Sequence, residues 1–288
     1  MVYTAMLNER GGFESDVTVT RLDAETFFIL TGSAQATRDA DWIERHIEDG
    51  ECAALVDVTS AFSVISVMGP RAQALLARLS PDDLSKAGMP FCATREIDVG
   101  YARPRAARMS YVGGPGYELT VPTEQCVTLY EALWSAGAEF GLADAGYYTI
   151  DALRIEAGRR AWGAELGPDD TPWEAGLGYA VQLEKAAPFI GRAALMRQRA
   201  EGLKKRLLLF ALDDASAYAW SGEPILMDGA AVGELTSAGY SRKLGRAVAM
   251  GYVRADQALS DARITSAKFE IDIAGELFAA TPRLKAPL

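Results

Sequence analysis

Two carboxylates in this chain sit where their type and spacing could do chemistry. Asp16 lies in Phe13-Glu14-Ser15-Asp16-Val17-Thr18-Val19, immediately after the turn-forming pair Gly11-Gly12. Read at the two-residue period of a strand, Phe13, Val17 and Val19 point one way and Glu14, Asp16 and Thr18 the other. A carboxylate on the polar face of a packed strand is either solvated, the ordinary state of an aspartate, or working. Glu174, in Thr171-Pro172-Trp173-Glu174, also has two readings. With Thr171 or Asp170 as the cap about three residues earlier, it can supply the reciprocal contact of a capping box. Alternatively its two oxygens can accept parallel hydrogen bonds from neighbouring N–H groups, the match a carboxylate makes with guanidinium.

Composition removes several other chemistries. The chain has 288 residues, a formal net charge of −10 and a single histidine. A Ser-His-Asp triad, a Cys-His pair or a multi-histidine metal centre would have to pass through His46, which lies beside Trp42, Ile43 and Ile47 on an amphipathic helix and reads as a boundary residue. Cys52, Cys92 and Cys126 are odd in number, widely spaced and without a CxxC pair, so neither a disulfide framework nor a zinc site is expected. No metal is expected. The acidic balance argues against a nucleic-acid surface. No run of about 18 apolar residues and no leader-like opening occurs, so neither a membrane span nor export is expected, and a reducing, cytoplasmic setting is. Gly113-Gly114-Pro115-Gly116 lacks the Gly-Lys-Ser/Thr of a phosphate loop and reads as a tight hairpin turn.

The elements that must position these residues follow from pattern. A strand over 27–31 pairs with 13–22 across Asp23-Ala24-Glu25, and a helix over 37–48 follows. Strands are expected at 53–58 and 62–68. Gly69-Pro70 opens a helix with Ala72, Leu75, Leu76 and Leu79 on its apolar face. Strands near 94–102, 105–112 and 117–121 precede helices at 123–139, 146–159 and 191–199. Strands and helices alternate without βαβ regularity, which indicates an α+β domain. After Glu201-Gly202 the pattern changes to short strands at 206–212, 224–226, 231–235, 247–253 and 268–273, with a hairpin signal at Met227-Asp228-Gly229. That texture indicates a small β-barrel or sandwich.

Met6-Leu7-Asn8-Glu9-Arg10-Gly11-Gly12, running into an acidic strand, resembles the glycine-cleavage T-protein (aminomethyltransferase) family, whose members carry MLN-x-x-GG at this point. Further blocks resemble the folate-binding tail of dimethylglycine and sarcosine dehydrogenases. They are Ala145-Gly146-Tyr147-Tyr148, Leu153-Arg154-Ile155-Glu156-Ala157-Gly158, Ala161-Trp162-Gly163-Ala164-Glu165-Leu166, Thr171-Pro172-Trp173-Glu174-Ala175-Gly176-Leu177, Gly222-Glu223-Pro224-Ile225, Ser237-Ala238-Gly239-Tyr240-Ser241 and Phe269-Glu270-Ile271-Asp272-Ile273, in family order. Gly158-Arg159-Arg160-Ala161 has no cysteine where the related iron–sulfur maintenance proteins carry KGCYxGQE. In the family the MLN-x-x-GG motif comes well inside the folate module, after strands that open its first domain. Here it follows Met1 almost at once, so the module is expected to be N-terminally incomplete.

The resemblance implies an α+β folate-binding T-protein-type domain over 1–201 followed by a small C-terminal β-barrel over 202–288. It implies tetrahydrofolate as cofactor and one-carbon transfer from an N-methyl amine or its iminium, giving 5,10-methylenetetrahydrofolate. Asp16 matches the family's folate-facing aspartate and would be the catalytic residue, and Glu174 matches its pterin-binding glutamate. Trp162 and Tyr117 are cofactor-contact candidates, although large amphipathic side chains are more often core. Arg154 and Glu156, two apart on a helix, point to different faces and read as structural. The family's arginine at the start of the barrel has no counterpart in Ser216-Ala217-Tyr218-Ala219-Trp220-Ser221. No GxGxxG follows an opening strand, so no FAD site is expected in this chain, and a flavin-dehydrogenase domain or subunit would be a partner beside the methylated amine. The competing reading is a non-catalytic regulatory or scaffold module of a flavin dehydrogenase-like complex.

Overall fold

The computed structural model describes residues 1–285. In chain order the elements begin with β1 (Val2–Leu7), β2 (Phe13–Arg21), β3 (Phe27–Leu30), α1 (Ala36–Glu44), β4 (Phe62–Met68), α2 (Ala72–Leu79), β5 (Thr94–Glu96), β6 (Arg105–Ala107), β7 (Gly116–Pro122) and α3 (Cys126–Gly137). They continue with α4 (Tyr147–Glu156), α5 (Arg192–Glu201), β8 (Lys205–Leu212), β9 (Pro224–Met227), β10 (Ala230–Ser241), β11 (Arg246–Arg254), α6 (Asp261–Ser266), β12 (Phe269–Ile273) and β13 (Glu276–Arg283). The chain forms two compact units: Met1–Val2, Thr18–Leu30 and Ala40–Gly146 make one, and Tyr3–Val17, Thr31–Asp39 and the chain from Tyr147 onward make the other. Strand β2 lies between β1 and β3, and its C-terminal half pairs antiparallel with β3 from Thr18↔Leu30 to Arg21↔Phe27.

The first unit is built on the sheet β4-β7-β6-β5. Strands β4 and β7 pair along their whole length, from Phe62↔Pro122 to Met68↔Gly116. Ile65 and Val67 join Tyr117, Leu119 and Val121 in a core completed by Leu75 and Leu76 of α2 and Leu129 and Leu133 of α3. The expected strand at 53–58 does not form. That stretch has the apolar, β-branched texture of a strand but no ladder partner among the described residues, and Asp57 instead accepts the Thr59 N–H at 2.8 Å in a local turn. Texture alone cannot supply a neighbouring strand.

In the second unit the C-terminal strands close into a barrel in the order β10-β11-β8-β13-β12-β9. The two faces of β8 explain its unbroken apolar run: Leu208, Phe210 and Leu212 fill the barrel, while Leu207, Leu209 and Ala211 pack outside with Val248, Met250 and Ile155 of α4. Gly239 lets α4 lie directly on β10, because a side-chain carbon there would stand 3.3 Å from the Ala152 Cα. A buried ion pair fastens the same two elements. Arg154 donates to Glu165 at 2.7 Å and to the Ser237 hydroxyl at 2.7 Å. Thr236 and Ser237 in turn donate to the other Glu165 oxygen at 2.7 and 2.5 Å. With every oxygen supplied, this network meets the condition under which a buried pair is tolerated, and it gives Arg154 the structural role its sequence suggested. Strands β1 and β13 and helix α6 carried no usable sequence signal, being short, partly exposed or without clean alternation.

Candidate functional site

The MLN-x-x-GG turn is a hydrogen-bonded hook. The Asn8 side-chain oxygen accepts the Arg10 and Gly12 N–H groups, each at 3.0 Å, while its amide donates to the Pro168 carbonyl at 2.9 Å and to Glu14 at 3.1 Å. Gly11 has φ +84°, and a Cβ on Gly12 would stand 1.8 Å from the Pro168 carbonyl oxygen, so this close approach excludes a side chain. The Phe13 N–H then reaches the Gly167 and Asp170 carbonyls at 3.1 Å, and the Phe13 ring is buried with Leu7, Leu166, Leu177 and Leu195. Burying that ring contributes about 1.5–3 kcal/mol. Hook and ring together fix the register of β2, and a register slip of one residue would turn every side chain beyond it to the wrong face.

Beyond the hook, Phe13, Ser15 and Val17 are buried and Glu14, Asp16 and Thr18 lie on the half-buried face, as the alternation predicts, but it lapses after Thr18, where Val19 is only half-buried and Thr20 is buried. The Tyr3 hydroxyl of β1 donates to Asp16 Oδ2 at 3.0 Å. Burial raises the pKa of the Asp16 carboxyl above the ordinary aspartate range; the Tyr3 bond opposes that rise and the charge of Asp39 adds to it. The Tyr3 hydroxyl is itself pushed well above the usual tyrosine range, first by burial and then by Asp16, which keeps it a donor. Tyr179 and Arg160 are the other charged or titratable groups that act on Tyr3. Arg160 is held by the Ala175 and Gly158 carbonyls at 2.8 and 2.5 Å.

On the same face of β2, Glu14 pairs with Arg38 of α1, and the Arg38 guanidinium lies 5.1 Å from the centre of the Trp162 ring. The Trp162 indole N–H is buried and has no acceptor among the described residues. An orphaned donor of this kind is uncommon in a folded protein and is satisfied when a ligand brings an acceptor. A ligand presenting an acceptor there would satisfy the Trp162 N–H.

Glu174 has a defined local duty. Its Oε2 accepts the Thr171 backbone N–H at 2.9 Å while the Glu174 N–H reaches the Thr171 hydroxyl at 3.3 Å, the reciprocal pair of a capping box. Lys205 lies 3.9 Å from the same oxygen, and the side chain is 12% exposed. Tyr117 is a core residue of the first unit: it is 0% exposed and its hydroxyl donates to the Leu84 carbonyl at 2.5 Å. The geometry there supports packing and leaves no face for a ligand. Its neighbour Glu118, which sequence reasoning passed over, points to the opposite side of β7. Burial alone raises its carboxyl pKa above the ordinary range. The usable signal was the alternation of β7, which sets a carboxylate between Tyr117 and Leu119 of the core. His46 is exposed, with Nδ1 2.7 Å from the Trp42 carbonyl. In the 216–221 stretch that lacks arginine, Tyr218 stacks on Tyr240 at 6.2 Å.

Comparison with known proteins adds a family. The GCVT N-terminal domain matches residues 1–185 and the glycine cleavage T-protein C-terminal barrel domain matches residues 205–288. The chain belongs to the glycine cleavage T-protein family. It is 36% identical to the mitochondrial pyruvate dehydrogenase phosphatase regulatory subunit of Mus musculus, over 99% of this chain and 34% of that protein. It is 35% identical to the mitochondrial sarcosine dehydrogenase of Homo sapiens, over 99% of this chain and 33% of that protein. The chain thus spans about a third of the length of these two relatives. The crystal structure of the glycine cleavage system aminomethyltransferase T from Bartonella henselae superposes with a TM-score of 0.80 at 26% identity, covering 96% of this chain and 73% of that one.

Proposed function

We propose that this chain is a tetrahydrofolate-dependent one-carbon transferase module in which Asp16 is the catalytic carboxylate. The observation that carries the reading is the desolvated Asp16 carboxyl, held by Tyr3 on a strand whose register the Gly11-Gly12 hook fixes. Tetrahydrofolate, when bound, would supply the nucleophilic nitrogen that takes up the methylene of an iminium, the two-electron oxidation product a flavin partner makes from an N-methyl amine, giving 5,10-methylenetetrahydrofolate and the demethylated amine. The species to be stabilised is cationic and loses a proton, so the chain needs a negative charge and a base at one place. Asp16 is both. Its raised proton affinity brings the carboxyl closer to the working pH, where a general base is most effective. Tyr3 holds Oδ2, and the carboxylate takes up the proton. Trp162 would offer its N–H to the ligand and Glu174 would hold the pterin, its Oε2 already engaged by Thr171.

In this reading residues 1–201 carry folate binding and the barrel from 202 supports it. A flavin-dehydrogenase domain or subunit oxidises the methylated amine beforehand. The test is Asp16→Asn in the complete enzyme, where methylenetetrahydrofolate formation falls by a factor of about 10² or more. Unchanged turnover would return Asp16 to a solvated strand position. A second reading, a regulatory module without turnover, draws on the likeness to a regulatory subunit. It predicts folate binding without transfer in the wild-type chain supplied with an iminium donor.

A further inference from the structure

The loop that receives the Asp16 hook is held from two sides. On the hook side, Asn8 donates to the Pro168 carbonyl at 2.9 Å, Arg10 pairs with Asp169 at 2.8 Å, and the Phe13 N–H reaches the Gly167 and Asp170 carbonyls at 3.1 Å. On the barrel side one cation serves it. Lys205, the first residue of β8, donates to the Asp169 carbonyl at 2.8 Å and to Asp170 Oδ1 at 2.6 Å. Its Nζ also lies 3.9 Å from Glu174 Oε2 and 4.7 Å from the centre of the Tyr252 ring. The Leu207 N–H of the same strand holds the Glu174 carbonyl at 2.8 Å. No other cation pairs with Asp170 or Glu174 among the described residues.

Resting on the transfer reading, we propose that Lys205 is a positioning residue for Asp16: it latches the 167–170 loop to the barrel and so holds the seat of β2. Asp170 is the joint, because its carboxylate is held by Lys205 while its carbonyl holds the Phe13 N–H, three residues before Asp16. Of the two ion pairs on the loop, the one to the barrel is the stronger. The Arg10 and Asp169 side chains are exposed, where solvent leaves such a pair little net strength, whereas those of Lys205 and Asp170 are only 14% and 19% exposed and are screened far less. A displacement of the loop also reaches the hook directly. A Cβ at Gly12 would stand 1.8 Å from the Pro168 carbonyl oxygen, so the two backbones are in contact and a shift of one moves the other. Packing alone would be served by an apolar side chain of the same length beside Tyr252. A part-buried ammonium costs desolvation, and here its hydrogen bonds are directed to residues 169 and 170, which face the hook.

The experiment compares wild type, Lys205→Met and Asp170→Ala in the full chain by amide hydrogen exchange. Methionine keeps a long side chain beside Tyr252 and removes the charge and the donors, and alanine at 170 keeps the carbonyl that holds Phe13. In each variant the Phe13 amide should exchange about tenfold faster while the amides of β11 keep their wild-type rates, the mark of a local opening. In the complete enzyme Lys205→Met should lower kcat for transfer about tenfold, since a small misplacement of a working group is costly. In the Asp16→Asn background the same substitution should cost less than about twofold, because its effect passes through Asp16. Where Lys205→Met does not fold, Asp170→Ala gives both readings. An unmoved Phe13 amide, or one that quickens together with β11, alongside normal wild-type transfer would overturn this inference alone. So would an unchanged kcat, or an equal loss in both Asp16 backgrounds. A quickened Phe13 amide in a chain whose wild type performs no transfer would sustain the latch and defeat the transfer reading instead.

Discussion

The Tyr3 hydroxyl donates to Asp16 Oδ2 at 3.0 Å, joining two residues thirteen positions apart in the chain. With the Asp16 backbone N–H, this contact favours the ionised carboxylate against its own burial. In Tyr3→Phe burial and the Asp39 charge act with less opposition, so the Asp16 carboxyl moves further up. The acid limb of the transfer pH profile should therefore move to higher pH, by about half to one unit. A profile that overlays wild type would show that Tyr3 does not set the ionisation of Asp16.

Asp16 should weaken the fold at neutral pH. Its folded-state pKa lies above the ordinary 3.8. A group raised on folding contributes stability that is fully present below its unfolded pKa and is lost as the pH rises through its folded one. Asp16→Asn removes that loss. The variant should match wild type near pH 3 and be more stable near pH 7, by about 1 kcal/mol for each unit of upward shift, while transfer falls. Thermal melts of both proteins across that range give the answer, and a variant less stable than wild type at pH 7 would contradict the burial cause.

How far the site was legible in sequence divides along local and non-local lines. The face of β2 that carries Asp16 was readable, because alternation is a property of consecutive residues. The capping box at Thr171 and Glu174 was readable for the same reason. Tyr3 was not, since β1 carries no clean alternation and its link to Asp16 exists only once two strands lie side by side. Asp39 was hidden as a polar residue in an amphipathic helix, where charge ordinarily means solvent. The strand expected at 53–58 erred in the opposite direction, its residues having the texture for pairing and no neighbour to pair with. The barrel was legible after residue 202 from turn-separated apolar runs, except for β13, which lies between β8 and β12.

Gly12 should tolerate no side chain. The position of a Cβ there is 1.8 Å from the Pro168 carbonyl oxygen, a backbone atom that cannot rotate away, and the Asn8 bond to the same carbonyl holds it in place. Gly12→Ala must displace either the hook or the 167–170 loop. The expected cost is about 3 kcal/mol or more, in the range of strongly strained core substitutions. Gly50→Ala, where a Cβ meets nothing within 4 Å, is the control and bears only the cost of its φ of +96°. Urea unfolding of both variants measures the difference, and equal midpoints would mean that the loop yields at little cost.

Glu174 offers the sharpest separation of scaffold from ligand binding. Glutamine also serves at the third position of a capping box, so Glu174→Gln keeps the Thr171 contact and removes only the charge. Its melting temperature should stay close to wild type, whereas Glu174→Ala should lose about 1 kcal/mol with the cap. If Glu174 holds the pterin, Glu174→Gln should weaken tetrahydrofolate binding by about 1.5–3 kcal/mol, the range for hydrogen bonds to a charged group. Calorimetric titration of the full chain measures that loss directly. Unchanged affinity in Glu174→Gln would leave Glu174 as a cap and nothing more.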